Sequence, residues 1–239
     1  CMRCSVRCCT CSGAAASGAC CLRNFPSGAC CLRNFPSGAR CMRTLRSGVS
    51  RVREAACWSR HSKNQVGAAR ERQGRNACST HLIVDAQSVK NTDTAAFKGY
   101  DAGKKVSGIK RHIAVDTQGL PHAVAVTTAE VTDRKGALQA LQRCKCGLKQ
   151  VQSLLCDSGY VGRPFEQGVQ EILGEHITVQ IAKRSELHSF KVMPKRWIVE
   201  RSFAWLEKNR RLWKNCERLL NTSLQFVHLA FLVLLLKRL

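Results

Sequence analysis

HLIVDAQSVK at residues 81–90 and VQSLLCDSGY at residues 151–160 decide the fold, because in each an apolar run of strand character stops at an aspartate, Asp85 and Asp157. HLIVDA reads as a short buried strand. GIKRHIAVD (108–116) and LPHAVAVTT (120–128) read as two more, joined by Asp116-Thr117-Gln118-Gly119, where aspartate first and glycine fourth suit a type I turn. Asp133 to about Cys146 has helical character with Asp133 as N-cap, and VQSLLCD is a fourth strand. Pro164 to Leu173 suits a helix with proline in its first turn, and HITVQIA (176–182) is a fifth strand. A long helix from about Pro194 to Lys214 and an apolar C-terminal helix follow. That order predicts an α/β fold: a mixed five-stranded sheet flanked by helices, an antiparallel meander with a parallel continuation.

The same order selects which acids can meet. Asp85 is expected at the C-terminal end of the first strand, and a strand reached through a crossover helix runs parallel to it, so Asp157 emerges at the same edge. Asp116 ends a strand running the other way and reads as a turn residue. In KRWIVERSFAWLEKNRRL (195–212), at about 100° per residue, Arg196, Glu207, Arg211 and Lys214 share the face of Glu200. Ile198, Trp205, Leu206, Leu212 and Trp213 gather opposite, which makes the helix amphipathic. Three carboxylates, Asp85, Asp157 and Glu200, repel one another unless cations neutralise them, and hard oxygen ligands suit two magnesium or manganese ions. GKKVSGIKRH (103–112) brings Lys104, Lys105, Lys110 and Arg111 together with two glycines, as a phosphate-tracking loop and strand edge would. Together with Arg196, Arg211 and Lys214 these are the candidate DNA contacts. His112, His122, His176 and His188 occur singly and read as structural or exposed.

Composition points the same way. With 39 Lys+Arg against 16 Asp+Glu, a formal charge of +23 favours a polyanionic partner, nucleic acid first. A membrane-surface protein would show an amphipathic helix with lysine along one face and little catalytic acid. The longest apolar stretch, LQFVHLAFLVLLL (224–236), has thirteen residues against the roughly 20 that cross a bilayer, and reads as a buried helix. With no signal-peptide pattern near the start, a cytoplasmic protein is expected.

The first part of the chain is written differently. Ten of the sixteen cysteines lie in residues 1–41, and GACCLRNFPS occurs at 18–27 and again unchanged at 28–37. Pairs such as Cys20-Cys21 and Cys30-Cys31 lack the spacing and histidines of a zinc site. An unmutated tandem repeat without helical or strand periodicity reads as disordered or as a reading-frame artefact, and a start at Cys1 reads as a fragment or a mis-started frame. The expected division is a Cys-rich region over 1–71 and a catalytic domain over 72–239.

The motifs IVDAQSVKNTD, GYDAGKKVSGIKRHIAVDTQGLPHA, CDSGY, KRSELHSF and PKRWIVERSFAWLEKNRRL, in that order, closely resemble bacterial insertion-sequence transposases of the DDE type, the insertion sequence five family. The resemblance runs from about residue 72 to the end. It implies a ribonuclease-H-like catalytic domain with Asp85, Asp157 and Glu200 as first, second and third acids. It further implies magnesium-dependent nicking of transposon terminal inverted repeats and joining to target DNA by a homodimer. Related enzymes carry a tyrosine, arginine, glutamate, lysine signature around the third acid. Arg196 and Glu200 match its spacing, while Met193 stands at the tyrosine position and Glu207, followed by Lys208, at the lysine position. The gap between Asp157 and Glu200 leaves no room for the large inserted domain of some relatives. The helical DNA-binding region usual upstream has no match in residues 1–71. Two other classes fit the same residues: a ribonuclease-H-like nuclease without transposition, and a non-catalytic DNA-binding remnant.

Overall fold

The computed structural model describes residues 63–182 and 195–238. The Cys-rich repeats, KRSELHSF, His188, Met193 and Pro194 lie outside them. The chain divides into two units, Cys1–Arg51 and Val52–Leu239, and the described residues all belong to the second.

A helix over residues 63–71 (α1) leads into a six-stranded mixed sheet. The strands are β1 His81–Lys90, β2 Gly99–Asp101, β3 Val106–Val115, β4 Pro121–Thr128, β5 Ser153–Asp157 and β6 Thr178–Ala182. The helices are α2 Asp133–Cys144, α3 Arg163–Leu173, α4 Trp197–Glu207, α5 Arg210–Trp213 and α6 Leu220–Leu236. Strand order is β2-β3-β1-β5-β6, with β4 beside β3 along the rest of its length. β1, β3 and β4 form the antiparallel meander, and β5 and β6 continue parallel to β1. The mixed sheet flanked by helices is present, with one strand more than expected: three-residue β2 is too short to carry a period-2 signal.

The sheet separates two cores. On one side Leu82, Val84, Ala114 and Leu154 pack under α2 and α3 through Ala137, Leu141, Phe165 and Val169. On the other, Ile83, Ile113, Val115 and Val124 pack under α4–α6 through Ile198, Phe203, Val227 and Phe231. Consecutive residues Leu82, Ile83 and Val84 thus serve opposite faces, as strand alternation requires. Close approach needs Gly136 in α2, where a Cβ would come within 2.1 Å of the His112 imidazole.

Several expectations need correction. Asp85 is not at a strand end, since β1 runs on to Lys90 paired with β3; what stops before Asp85 is the parallel pairing with β5. The long helix breaks at Lys208–Asn209, where extended Asn209 turns the chain and its Nδ2 donates to the Trp205 and Leu206 carbonyls at 3.0 and 3.2 Å. The C-terminal helix buries only one face, leaving Leu229, Val233 and Leu236 exposed. The boundary at residue 72 falls too late, because Val66 and Ala69 of α1 pack on Leu120 and Leu235, and Arg70 pairs with buried Asp116. The N-cap of α2 is Thr132, one residue before Asp133.

The Asp116–Gly119 turn forms as read, with the Gly119 amide donating to the Asp116 carbonyl at 3.0 Å. Gly119 has φ +79°, and a Cβ there would stand 2.7 Å from Ser202 Oγ and 3.0 Å from the Trp205 ring. Glycine therefore lets α4 dock on the turn, where Ser202 Oγ donates to the Gly119 carbonyl at 3.1 Å.

Candidate active site

Parallel register delivers the two aspartates to one place. Val84 pairs with Cys156, so the next step along both strands sets Asp85 beside Asp157. α4 lies on the same side of the sheet as Ile83, and its first turn carries Glu200 to a cleft of about 310 Å³. Asp85, Gln87, Lys104, Glu200, Phe203 and Glu207 line that cleft. Asp85 accepts the Ala86 amide at 2.7 Å, and Asp157 accepts the Ser158 amide at 2.6 Å. Arg196 links the remaining pair: its guanidinium donates to Asp157 Oδ2 at 3.0 Å and stands 3.8 Å from Glu200 Oε1.

Electrostatics single out Asp85. Burial pushes its carboxyl up to about 6; the neighbouring Asp157 adds to this, while the Ala86 amide, Lys104 and Arg196 oppose it. A half-buried carboxylate beside a second one is the arrangement that a cation relieves, and an all-oxygen set suits magnesium or manganese better than softer metals. The donor chemistry therefore fits a divalent ion. Among the described residues, though, no group of three or more acid, histidine or cysteine side chains converges tightly enough to hold one as it stands. The Arg196 guanidinium supplies positive charge between Asp157 and Glu200 instead.

The basic candidates divide sharply. Lys104 is exposed at the cleft, with Nζ donating to the Ala86 carbonyl at 3.0 Å, and Lys105 is exposed beside it. Lys110 and Arg111 must be removed from the DNA-contacting set. Lys110 is buried between Asp101 and Asp133 at 3.1 and 3.0 Å, and it also donates to the Val131 carbonyl, so it braces the β2–β3 loop against α2. Arg111 is 0% exposed, with Nη2 donating to the Leu212 carbonyl at 2.7 Å. Burial holds its guanidinium down to about 10. Both sit in β3, a central strand covered on both faces, where no phosphate can reach. Arg211 pairs with Glu217 and lies over Phe226, Lys214 lies over Trp213, and neither lines the cleft, because the break after α4 ends the shared helical face.

The sequence reading passed over Gln87, whose Nε2 donates to Glu207 Oε1 at 2.7 Å and closes the cleft between β1 and α4. Its signal was the two-residue spacing from Asp85, which puts both on one face of a strand. The single histidines are structural where described: His112 Nε2 meets Thr127 Oγ1 at 2.9 Å, His122 lies 3.5 Å from Asp116, and His176 meets the Val151 carbonyl at 3.1 Å.

The family described as Transposase DDE domain matches residues 76–236, a span that takes in both aspartates, the cleft and α4. The chain belongs to that family. The putative transposase for insertion sequence element IS402 of Burkholderia cepacia is 32% identical over 134 residues, 53% of this chain. The chain spans 60% of that relative's length. Among solved structures, a chain of the simian T-cell lymphotropic virus intasome in complex with PP2A regulatory subunit B56 gamma aligns over 63% of this chain and 47% of its own, at 15% identity and TM-score 0.43. The Mos1 mariner paired-end complex with Mn aligns over 76% of this chain and 60% of its own, at 12% identity and TM-score 0.31. Membership of the Transposase DDE domain family rests on the domain match. Among the described residues of this DDE domain, no helix is long and apolar enough to cross a membrane.

Proposed function

We propose that this chain is a metal-dependent DNA transposase of the insertion sequence five branch, cutting at transposon terminal inverted repeats and joining the ends to target DNA, as a homodimer in the bacterial cytoplasm. The observation that carries the reading is the placement of Asp85 and Asp157 at adjoining register on parallel strands, with Glu200 of α4 lining the same cleft as Asp85.

In this reading Asp85, Asp157 and Glu200 hold the divalent ions. Two such ions, when bound, activate water or a DNA 3′-hydroxyl and stabilise the leaving oxygen. The protein's own part is placement. β1 and β5 fix the aspartates on backbone that cannot slip register, and α4 brings Glu200 from across the cleft. Arg196 holds Asp157 and Glu200 in place by hydrogen bond and charge until a cation arrives. Lys104, exposed in the cleft with Asp85, and exposed Lys105 next to it in the chain are placed to take the phosphates flanking the scissile bond.

Cleavage and strand transfer on oligonucleotides bearing the element's ends, with magnesium or manganese present, test the reading. Asp85→Ala and Glu200→Ala are expected to abolish both reactions while leaving DNA binding largely intact. Unchanged cleavage in either variant would refute the assignment. Hydrolysis without a joined product would mark a nuclease, and salt-sensitive binding without metal-dependent cleavage would mark a non-catalytic remnant.

A further inference from the structure

Gln87 stands between two candidate partners and satisfies only one of them. Its Nε2 donates to Glu207 Oε1 at 2.7 Å, across the cleft from β1 to the last residue of α4. A carboxylate can only accept, so this bond fixes which amide atom is which. The other atom, Gln87 Oε1, is buried and has no protein partner. Opposite Gln87 in the register stands Arg111 of β3. Both side chains lie on the α4–α6 side of the sheet, since one reaches Glu207 and the other the Leu212 carbonyl. Arg111 is fully buried, and beyond its bond to Leu212 its Nε and Nη1 have no protein partner. Among the described residues no carboxylate forms an ion pair with it.

Two unused donors and one unused acceptor thus belong to residues paired across the sheet. Directly opposed residues on one face stand about 4.5–5.5 Å apart at Cβ, within reach of long side chains, and each buried polar group left without a bond carries its desolvation penalty. Turning the Gln87 amide so that Oε1 accepts an Arg111 N–H satisfies one atom of each residue but gives up Glu207. Glu207 is exposed, in no ion pair among the described residues, and followed at once by the break at Lys208–Asn209. Burial holds the Arg111 guanidinium down, and Glu207 is near enough for its charge to oppose that. The cleft that this bond spans also holds Asp85, Glu200 and Lys104. Phosphates entering beside Lys104 set like charge against Glu207 and favour its release.

We infer that Gln87 is a two-position latch: bonded to Glu207 it ties α4 to β1 and narrows the cleft, and bonded to Arg111 it leaves the cleft open to a strand of phosphates. This rests on the DNA transposase reading and adds a step ahead of the chemistry, the opening of a closed cleft. Without DNA the chain sits in the first position, the one the structure shows.

Heteronuclear NMR of the full chain reads both bonds, through the Gln87 side-chain NH2 signal, identified by its loss in Gln87→Ala, and through the Arg111 Nε–H signal. Glu207→Ala removes the upper acceptor and is expected to shift both signals without DNA. A saturating blunt duplex, with no divalent metal present, is expected to move the wild-type signals to those same positions. In fluorescence anisotropy with the labelled duplex, Gln87→Ala should bind roughly fivefold more tightly than wild type, because no closed fraction has to open first. That gain should persist as salt rises, whereas Glu207→Gln, which keeps an acceptor for Gln87 and loses only the charge, should show a gain that salt removes. Wild-type signals that the duplex leaves in place, or a Gln87→Ala variant that binds no more tightly than wild type, would overturn the latch and make the contact a fixed brace. So would an Arg111 Nε–H signal unmoved in Glu207→Ala, which would leave the amide no second position. Absence of duplex binding in every variant strikes the transposase reading beneath, while the Glu207→Ala spectra still decide the two positions of Gln87.

Discussion

Asp85 is an acid placed where an acid is costly. Its carboxyl protonates near 6 in the folded chain, against an ordinary value of 3.8, because burial and Asp157 both disfavour the charge. Between those two values the folded state binds more proton than the unfolded state, so this residue's contribution to stability falls as pH rises through that window. Asp85→Asn removes the burden: in urea denaturation at about pH 8 the variant should exceed wild type by on the order of 1–2 kcal/mol, with the gain shrinking toward about pH 4.5. A gain that is equal at both pH values, or absent, would show that the carboxyl is not desolvated. The position of such a residue was legible, since an aspartate interrupting Leu82-Ile83-Val84 has few structural reasons to be there. Lys110 and Arg111 were misread for a related reason. A run of charges in one strand looks exposed, and only the partners Asp101 and Asp133, distant in sequence, show that Lys110 is buried and paired.

At the scale of elements, α4 and α1 show what spacing can and cannot reveal. The amphipathic period correctly separated Glu200 from Ile198 and Leu206, yet it carried on past Asn209, where a side chain caps the carbonyls and the helix ends. Nothing in the period announces that stop, so Arg211 and Lys214 were assigned to a face that does not continue. α1 was invisible for want of a long apolar stripe, and what docks it is one buried ion pair with a small contact cluster. Asp116 is held down to about 2: burial alone would raise its carboxyl, but bonds from His122, the Leu120 amide and Arg70 outweigh that. A lowered carboxyl contributes stability that is complete above its ordinary value of 3.8 and lost as pH falls toward about 2. Asp116→Ala leaves Arg70 buried without its counter-charge and should cost about 3 kcal/mol. In hydrogen exchange the amides of residues 63–71 should lose protection before those of β1 and β3. Equal protection in variant and wild type would show that apolar contacts alone dock α1.

For the whole molecule, the order of strands carried more than any single motif. Meander followed by parallel strands brings Asp85 beside Asp157 and sends Asp116 toward the start of β1, and the register of β1 with β5 and with β3 shows both, although Asp85 lies within β1 and not at its end. What the order could not supply is the distance between carboxylates, which depends on the Arg196 rotamer and on whether a cation is present. The central claim is that Asp85, Asp157 and Glu200 act as one site. Electron paramagnetic resonance of free Mn²⁺, titrated with the full chain and with Asp85→Ala, Asp157→Ala and Glu200→Ala, measures that most directly. The wild-type chain should take up the ion, and each of the three variants should lose most of that affinity. Undiminished Mn²⁺ uptake by any one of them would contradict the claim.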